Sequence, residues 1–197
     1  MKPRLCALAA AVCVLASGCV HYLRAQVDAS QSLAGEESHH AHAVVLQAEN
    51  FASYQYWTIV RFNLAYFDFG RAAAEYLVKM ADQLFDSSEV VVGQHFEMMR
   101  GRPYELSKNH KEVVIIDPVS IDAYSEGNFD FNISLKVSLL VFQNGRKVGE
   151  IVGWGNAAGD ARSAYSVNDA GSTALEAALL SVRDQLHNMN FDVDVSQ

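Results

Sequence analysis

Beyond residue 19 the chain has no cysteine: its three, Cys6, Cys13 and Cys19, all fall in the first nineteen of 197 residues. The rest of the chain therefore holds no disulfide. Thiol catalysis, zinc–thiolate sites and iron–sulfur clusters are excluded from it. Proline is scarce as well. After Pro3 only Pro103 and Pro118 remain, the first in a polar stretch and the second interrupting an apolar one. Positive charge is in deficit, with 15 Lys and Arg against 23 Asp and Glu and a formal net charge of −8. A nucleic-acid partner is excluded on that ground, because phosphates demand a basic surface. Broad adhesion to anionic lipid head groups is disfavoured for the same reason. Several catalytic signatures are missing too: no Gly-x-Ser-x-Gly, no His-Glu-x-x-His, no Ser-x-x-Lys and no phosphate-cradling glycine loop. What the chain does have is apolar residues, half of the total, enough for a folded core.

The N-terminus has a charged head, Lys2 and Arg4, then an apolar run from Leu5 to Leu15, then Ala16-Ser17-Gly18-Cys19. That order is the layout of an export signal. The cysteine after Ala-Ser-Gly resembles the lipobox of bacterial lipoproteins, with Ala16 where Leu is usual. The resemblance implies cleavage before Cys19, diacylation of its sulfur and acylation of the new N-terminus. The apolar run is too short to span a bilayer, which takes roughly 20 apolar residues. Residues 1–18 contain no acid, so losing Lys2 and Arg4 leaves thirteen basic side chains against 23 acidic, a net −10. Membrane attachment is then expected from the lipid, and two or more acyl chains give stable anchoring. Val20 follows the cysteine, where Asp would retain a Gram-negative lipoprotein in the inner membrane. The expected location is the outer membrane, facing the periplasm.

Three regions follow. Residues 1–18 read as the signal, 19–42 as the lipidated cysteine with a flexible tether, and 43–197 as one α+β domain. Residues 43–48 suit a first strand. Residues 54–67 are rich in aromatic and β-branched side chains and suit a strand or strand pair. Residues 70–85 are helical by the spacing of Ala73, Leu77, Met80, Ala81 and Leu84, with Asp68 as a cap. Strands are predicted at 89–96 and from Val113 to about Tyr124, with an edge or bulge at Pro118. A strand is predicted over 129–142, where Phe129 to Leu139 alternate apolar and polar, the pattern of a strand with one wet face. Asn144-Gly145 then supplies a type I′ turn into a return strand over 146–156. Residues 157–167 read as a linker. A final helix is predicted from Asp169 or Thr173, the latter in capping-box spacing with Glu176. The expected architecture is a mostly antiparallel sheet with two amphipathic helices on one face.

The stretch Ser125-Glu126-Gly127-Asn128-Phe129-Asp130-Phe131-Asn132-Ile133-Ser134-Leu135-Lys136, with Gln143-Asn144-Gly145 and Lys147 after it, resembles the YajG-type family of small bacterial lipoproteins. The likeness covers the C-terminal half and the lipobox; residues 54–67 depart from it. It implies fold and location and says almost nothing of activity. More distantly, the layout is similar to auxiliary lipoproteins that serve envelope transporters, an analogy at the level of fold alone.

Four groups are candidate sites. His39, His40 and His42, behind Glu36 and Glu37, are ligand types for Zn, Cu or Ni, although a flexible segment brings no preformed geometry. Trp154, between Gly153 and Gly155, is either an exposed anchor for a partner or for the membrane interface, or a core tryptophan whose small neighbours admit a helix. Arg100 and Arg102, with Lys108 and Lys111, form a basic patch suited to phosphate groups or an acidic loop, or simply a solvated loop. Asp117, Asp122 and Glu126 are close enough in sequence to raise a carboxylate pair, with acids beside a turn as the plainer reading. No cofactor is expected. The leading expectation is a non-enzymatic lipoprotein that binds or assembles other envelope proteins or lipids. A metal- or small-ligand-binding lipoprotein using the histidines is the alternative, and an envelope hydrolase the third.

Overall fold

The computed structural model describes residues 20–27, 39–93, 112–127 and 130–191. Cys19, Arg100, Arg102, Lys108 and Lys111 lie outside the described residues. Eight strands and three helices are described: β1 (Val20–Leu23), β2 (His39–Ala48), α1 (Glu49–Ala52), β3 (Tyr56–Val60), β4 (Asn63–Phe67), α2 (Phe69–Leu84), β5 (Phe85–Gly93), β6 (Val113–Glu126), β7 (Asp130–Gln143), β8 (Arg146–Asp160) and α3 (Ala164–His187). The fold is α+β.

Five strands form the main sheet, in the order β5-β2-β6-β7-β8. The alternation of β7 sets its centre. Phe131, Ile133, Leu135, Val137, Leu139 and Val141 are buried in one core, while Asp130 and Asn132 face water. Asn144 and Gly145 take φ values of 48° and 81°, so the type I′ turn closes the β7–β8 hairpin as its residues predict. Pro118 sits where the β6–β7 register shifts, between Pro118 and Ser120, which is the predicted bulge. β6, β7 and β8 are antiparallel neighbours, whereas β2 pairs in parallel with both β5 and β6.

Helices α2 and α3 share one core with the sheet. α2 contributes Ala73, Leu77, Met80, Ala81 and Leu84, the predicted stripe. α3 lies against β8 through small residues on both sides. A Cβ on Gly155 would overlap the Ala174 carbonyl, and one on Gly153 the Ala178 carbonyl. These glycines give close backbone approach.

The second sheet is small, in the order β1-β4-β3. β1 runs parallel to β4, and β3 and β4 form an antiparallel hairpin. Its inner face joins the core. Phe67 stacks on Phe69 at 4.9 Å and on Phe131 at 6.2 Å, and packs over Gly171. Tyr56 and Thr58 reach the Ser125 hydroxyl, at 2.8 Å each.

Several expectations are corrected. Two parts of the supposed tether are strands: Val20–Leu23, and His39 to His42 at the start of β2. Short flanking segments of low periodicity hide strands whose pairing partners are distant in sequence. The supposed linker is also structured, because β8 continues to Asp160 and α3 begins at Ala164. Ser163, not Asp169 or Thr173, caps α3, its hydroxyl accepting from the Ser166 N–H at 3.2 Å. Asp68 stands at the start of α2 without a side-chain cap bond and pairs instead with Arg71, at 3.3 Å.

Candidate functional site

Among the described strands β8, fifteen residues long, lies at the edge of the main sheet, and the outer edge of such a strand presents backbone donors and acceptors to a partner. Gly153 and Gly155 point at α3, so strand alternation turns Trp154 to the opposite face, where it is 60% exposed. The two readings of this tryptophan thus combine: its neighbours are small to admit a helix, yet the ring itself is outside. Across the sheet, Asp122, Lys136 and Trp154 form one register row. Lys136 Nζ lies 5.8 Å from the Trp154 ring centre and 3.9 Å from Asp122. On the helix side of the same edge, a shallow groove of about 710 Å³ runs between Glu150–Ile151 and the α3 residues Ala177, Ser181 and Gln185. Gln185 donates to the Val152 carbonyl at 2.8 Å, a side chain occupying part of the edge.

A second exposed surface was not recognised from sequence. The outer face of the small sheet carries two register rows: Val20–Leu64–Ile59 and Tyr22–Tyr66–Trp57. Tyr22 is 83% exposed, Trp57 62% and Ile59 66%. The Tyr22 and Tyr66 rings stack at 5.5 Å. At the tip of the hairpin, Arg61 and Phe62 have φ values of 47° and 72°, both left-handed, and Phe62 is 94% exposed. Large exposed apolar surface of this kind marks an interaction site. The available signal was the pair Arg61-Phe62, which occupies a tight turn without Gly, Asn or Asp.

The three histidines do not converge. Strand alternation places His39 on the helix side of β2, where its ring meets Phe85 at 5.2 Å, Phe191 at 4.8 Å and His187 at 6.0 Å. Burial pushes the His39 imidazole below its ordinary pKa. Backbone hydrogen bonding at Leu186 partly offsets this, while His187 adds to it. His40 and His42 face the other way. His40 pairs with Asp86 at 3.2 Å, and His42 is bonded to Ser87 at 2.8 Å with Glu89 at 3.7 Å. Among the described residues no group of three metal-ligating side chains comes together. The histidines are strand residues with local partners, which corrects the picture of a ligand-rich tether.

The carboxylates are likewise separated. Asp117 and Asp122 lie along one strand, and five residues at about 3.3 Å each put them roughly 16 Å apart. Paired glycosidase carboxyls stand about 5–9.5 Å apart. Behind the small sheet lies a cavity of about 250 Å³ lined by Leu23, Val60 and Ala65, with His21, Asn63 and Arg162 as its polar members. Arg162 is held by Asp160 at 2.9 and 3.0 Å, and those hydrogen bonds keep the Asp160 carboxyl below the usual range.

No family model and no curated protein matches the sequence. Among solved structures, the chain is similar to protein XCC0632 from Xanthomonas campestris, of the DUF330 family. The TM-score is 0.54 and the identity 11%, over 85% of this chain and 92% of that one. The hypothetical protein CT253 from Chlamydia trachomatis is also 11% identical over 75% of this chain and 94% of that one, with a TM-score of 0.39. At these identities the likeness to XCC0632 is one of fold. The chain shares its α+β architecture with a bacterial protein of the DUF330 family while retaining almost none of its sequence.

Proposed function

We propose that this chain is a bacterial lipoprotein, anchored through acylated Cys19 at the outer membrane, whose periplasmic domain binds or assembles other envelope components without catalysing a reaction. The lipobox and the YajG-like stretch support the anchor and the location. The observation that carries the binding role is the β8 edge. Fifteen residues of edge strand are stiffened from behind by α3, flanked by a groove, and topped by the outward ring of Trp154. A partner strand added there gains main-chain hydrogen bonds along the edge, and Trp154 offers an aromatic anchor beside it. The lipid confines the domain to the membrane and raises its effective concentration for partners there.

The test is photo-crosslinking in intact cells from positions 152 and 154, with position 165 on α3 as a control. A discrete protein adduct at the first two, weakened by Val152→Pro, supports the edge as the binding site. Equal or absent adducts at all three positions count against it. For the anchor, Cys19→Ser is expected to release the protein from the membrane fraction or leave its signal uncleaved. Unchanged processing and retention would refute lipidation.

A further inference from the structure

We propose that the outer face of the small sheet is a membrane-docking surface, seated in the outer-membrane bilayer beside the lipid on Cys19. The inference rests on the lipid anchor proposed above and adds where the domain meets the bilayer and in what orientation.

Three observations converge. The first is covalent. Cys19 is joined directly to Val20, the first residue of β1, and consecutive Cα atoms are about 3.8 Å apart. Acyl chains on Cys19 therefore hold Val20 at the bilayer surface. Val20 is itself part of the exposed face, paired with Leu64, which pairs in turn with Ile59.

The second is a gradient of side-chain chemistry. The row containing Val20 is purely aliphatic: Val20, Leu64, Ile59. The next row, one step further from the anchor, is Tyr22, Tyr66, Trp57, and the exposed Arg24 lies just past the end of β1. Aliphatic side chains suit acyl chains, whereas Trp and Tyr collect at the headgroup level, where an apolar ring and a polar atom are both satisfied. Rows two residues apart along a strand are separated by about 6.6 Å. The interfacial layer on each side of a bilayer is about 5–7 Å deep. The two rows therefore match the two zones of one leaflet when the Val20 end points inward.

The third is the hairpin tip. Asn63 pairs with Val60, so Arg61 and Phe62 close the hairpin next to the aliphatic row. Both sit in the left-handed region, which disfavours large side chains, and Phe62 is almost wholly exposed. The β7–β8 hairpin uses Asn144-Gly145 for equivalent φ values. A phenylalanine kept in a costly turn and turned away from the protein is accounted for by insertion into acyl chains. Because the mature chain is acidic, docking is driven by apolar burial rather than by charge, so zwitterionic lipid suffices.

The molecule has two tryptophans, Trp57 on this face and Trp154 on the β8 edge. The full lipidated chain carrying W154F, reconstituted in phosphatidylcholine vesicles, reports on Trp57 alone. We expect its emission to shift to the blue and to be quenched most by lipids brominated near the acyl carbonyl. Phe62→Trp in a W57F/W154F background should be quenched most by bromines deeper in the chain. Trp154 in a W57F chain should show neither effect. A chain that floats with vesicles, carries acylated Cys19 by mass, and leaves positions 57 and 62 water-like overturns the docking surface while the anchor stands. A chain without acyl mass that fails to float removes the anchor and, with it, this inference. A protein adduct instead of a lipid adduct from a photo-crosslinker at position 59 in cells also overturns it.

Discussion

Two β-hairpins in this molecule close with almost the same backbone, left-handed at both central residues, and with opposite chemistry. Asn144-Gly145 joins strands of fourteen and fifteen residues and uses side chains that tolerate positive φ. Arg61-Phe62 joins strands of five residues each and uses side chains that do not. The long hairpin closes on residues that suit its turn and leaves one ring, Trp154, exposed. The short one strains its turn and gathers Tyr22, Trp57 and Phe62 as exposed rings on its outer face and tip. Departures from local consistency tend to mark function. The contrast lies in the turns: one suits its residues, and the other accepts strain while presenting Phe62 to the outside.

The comparison can be broken at graded cost. The largest effect is expected within the small hairpin. Phe67→Ala on the inner face should cost about 3–5 kcal/mol in urea denaturation, the range for a buried phenylalanine. Trp57→Ser on the outer face should change stability by no more than about 0.5 kcal/mol. Similar losses at both positions would mean that the outer face also belongs to the core. Next, Gly155→Ala should cost about 1–3 kcal/mol, because the added methyl meets the α3 backbone and not a side chain that can turn aside. The turns come third and should move in opposite directions. Phe62→Gly is expected to stabilise the domain by about 1 kcal/mol, and Gly145→Val to destabilise it by at least as much. A loss on Phe62→Gly would show that Phe62 already packs on the protein.

A pH effect should be smaller. Burial lowers the folded pKa of His39 below 6.5, so the unfolded chain binds the proton more readily. The associated stability is complete above about 6.5 and is lost as the pH falls through the lower folded value. The Tm should therefore drop between neutral and mildly acid pH, and His39→Phe, which suits the ring cluster of Phe85 and Phe191, should flatten that drop. An unaltered slope would assign the effect to other groups.

The long hairpin is also the part most legible in sequence. Its period-2 alternation from Phe131 to Leu139 and its Asn-Gly turn leave few alternatives, and the stripe of α2 is as plain. The small sheet resists such reading because Tyr56 and Val60, facing inward, and Trp57 and Ile59, facing outward, are all large and apolar, so no alternation tells inside from outside. β8 and α3 were shortened for a related reason. Residues 157–167 are mostly small or polar, yet four of them extend β8, and Ser163 starts a helix whose first inner positions, Val167, Ala170, Gly171 and Ala174, are themselves mostly small. The histidines misled because a period-2 element reads as a cluster when the strand is not recognised: His39 lies on one face, His40 and His42 on the other. Trp154 shows the reverse case, where the glycines on either side correctly signalled a helix, on the face that the ring avoids.

The pairing of β1 carries a consequence for the order in which the chain takes shape. β1 is the first described element to be synthesised, but its partner begins 44 residues later, at Leu64. The β7–β8 hairpin closes over a two-residue turn. Contacts between distant segments carry a larger loop-closure cost. We expect β1 to join after the β7–β8 hairpin has closed, and its amides to exchange with solvent faster than those of that hairpin. Under the proposed lipoprotein processing, cleavage before Cys19 would then precede the pairing of Val20–Leu23 with Leu64–Phe67.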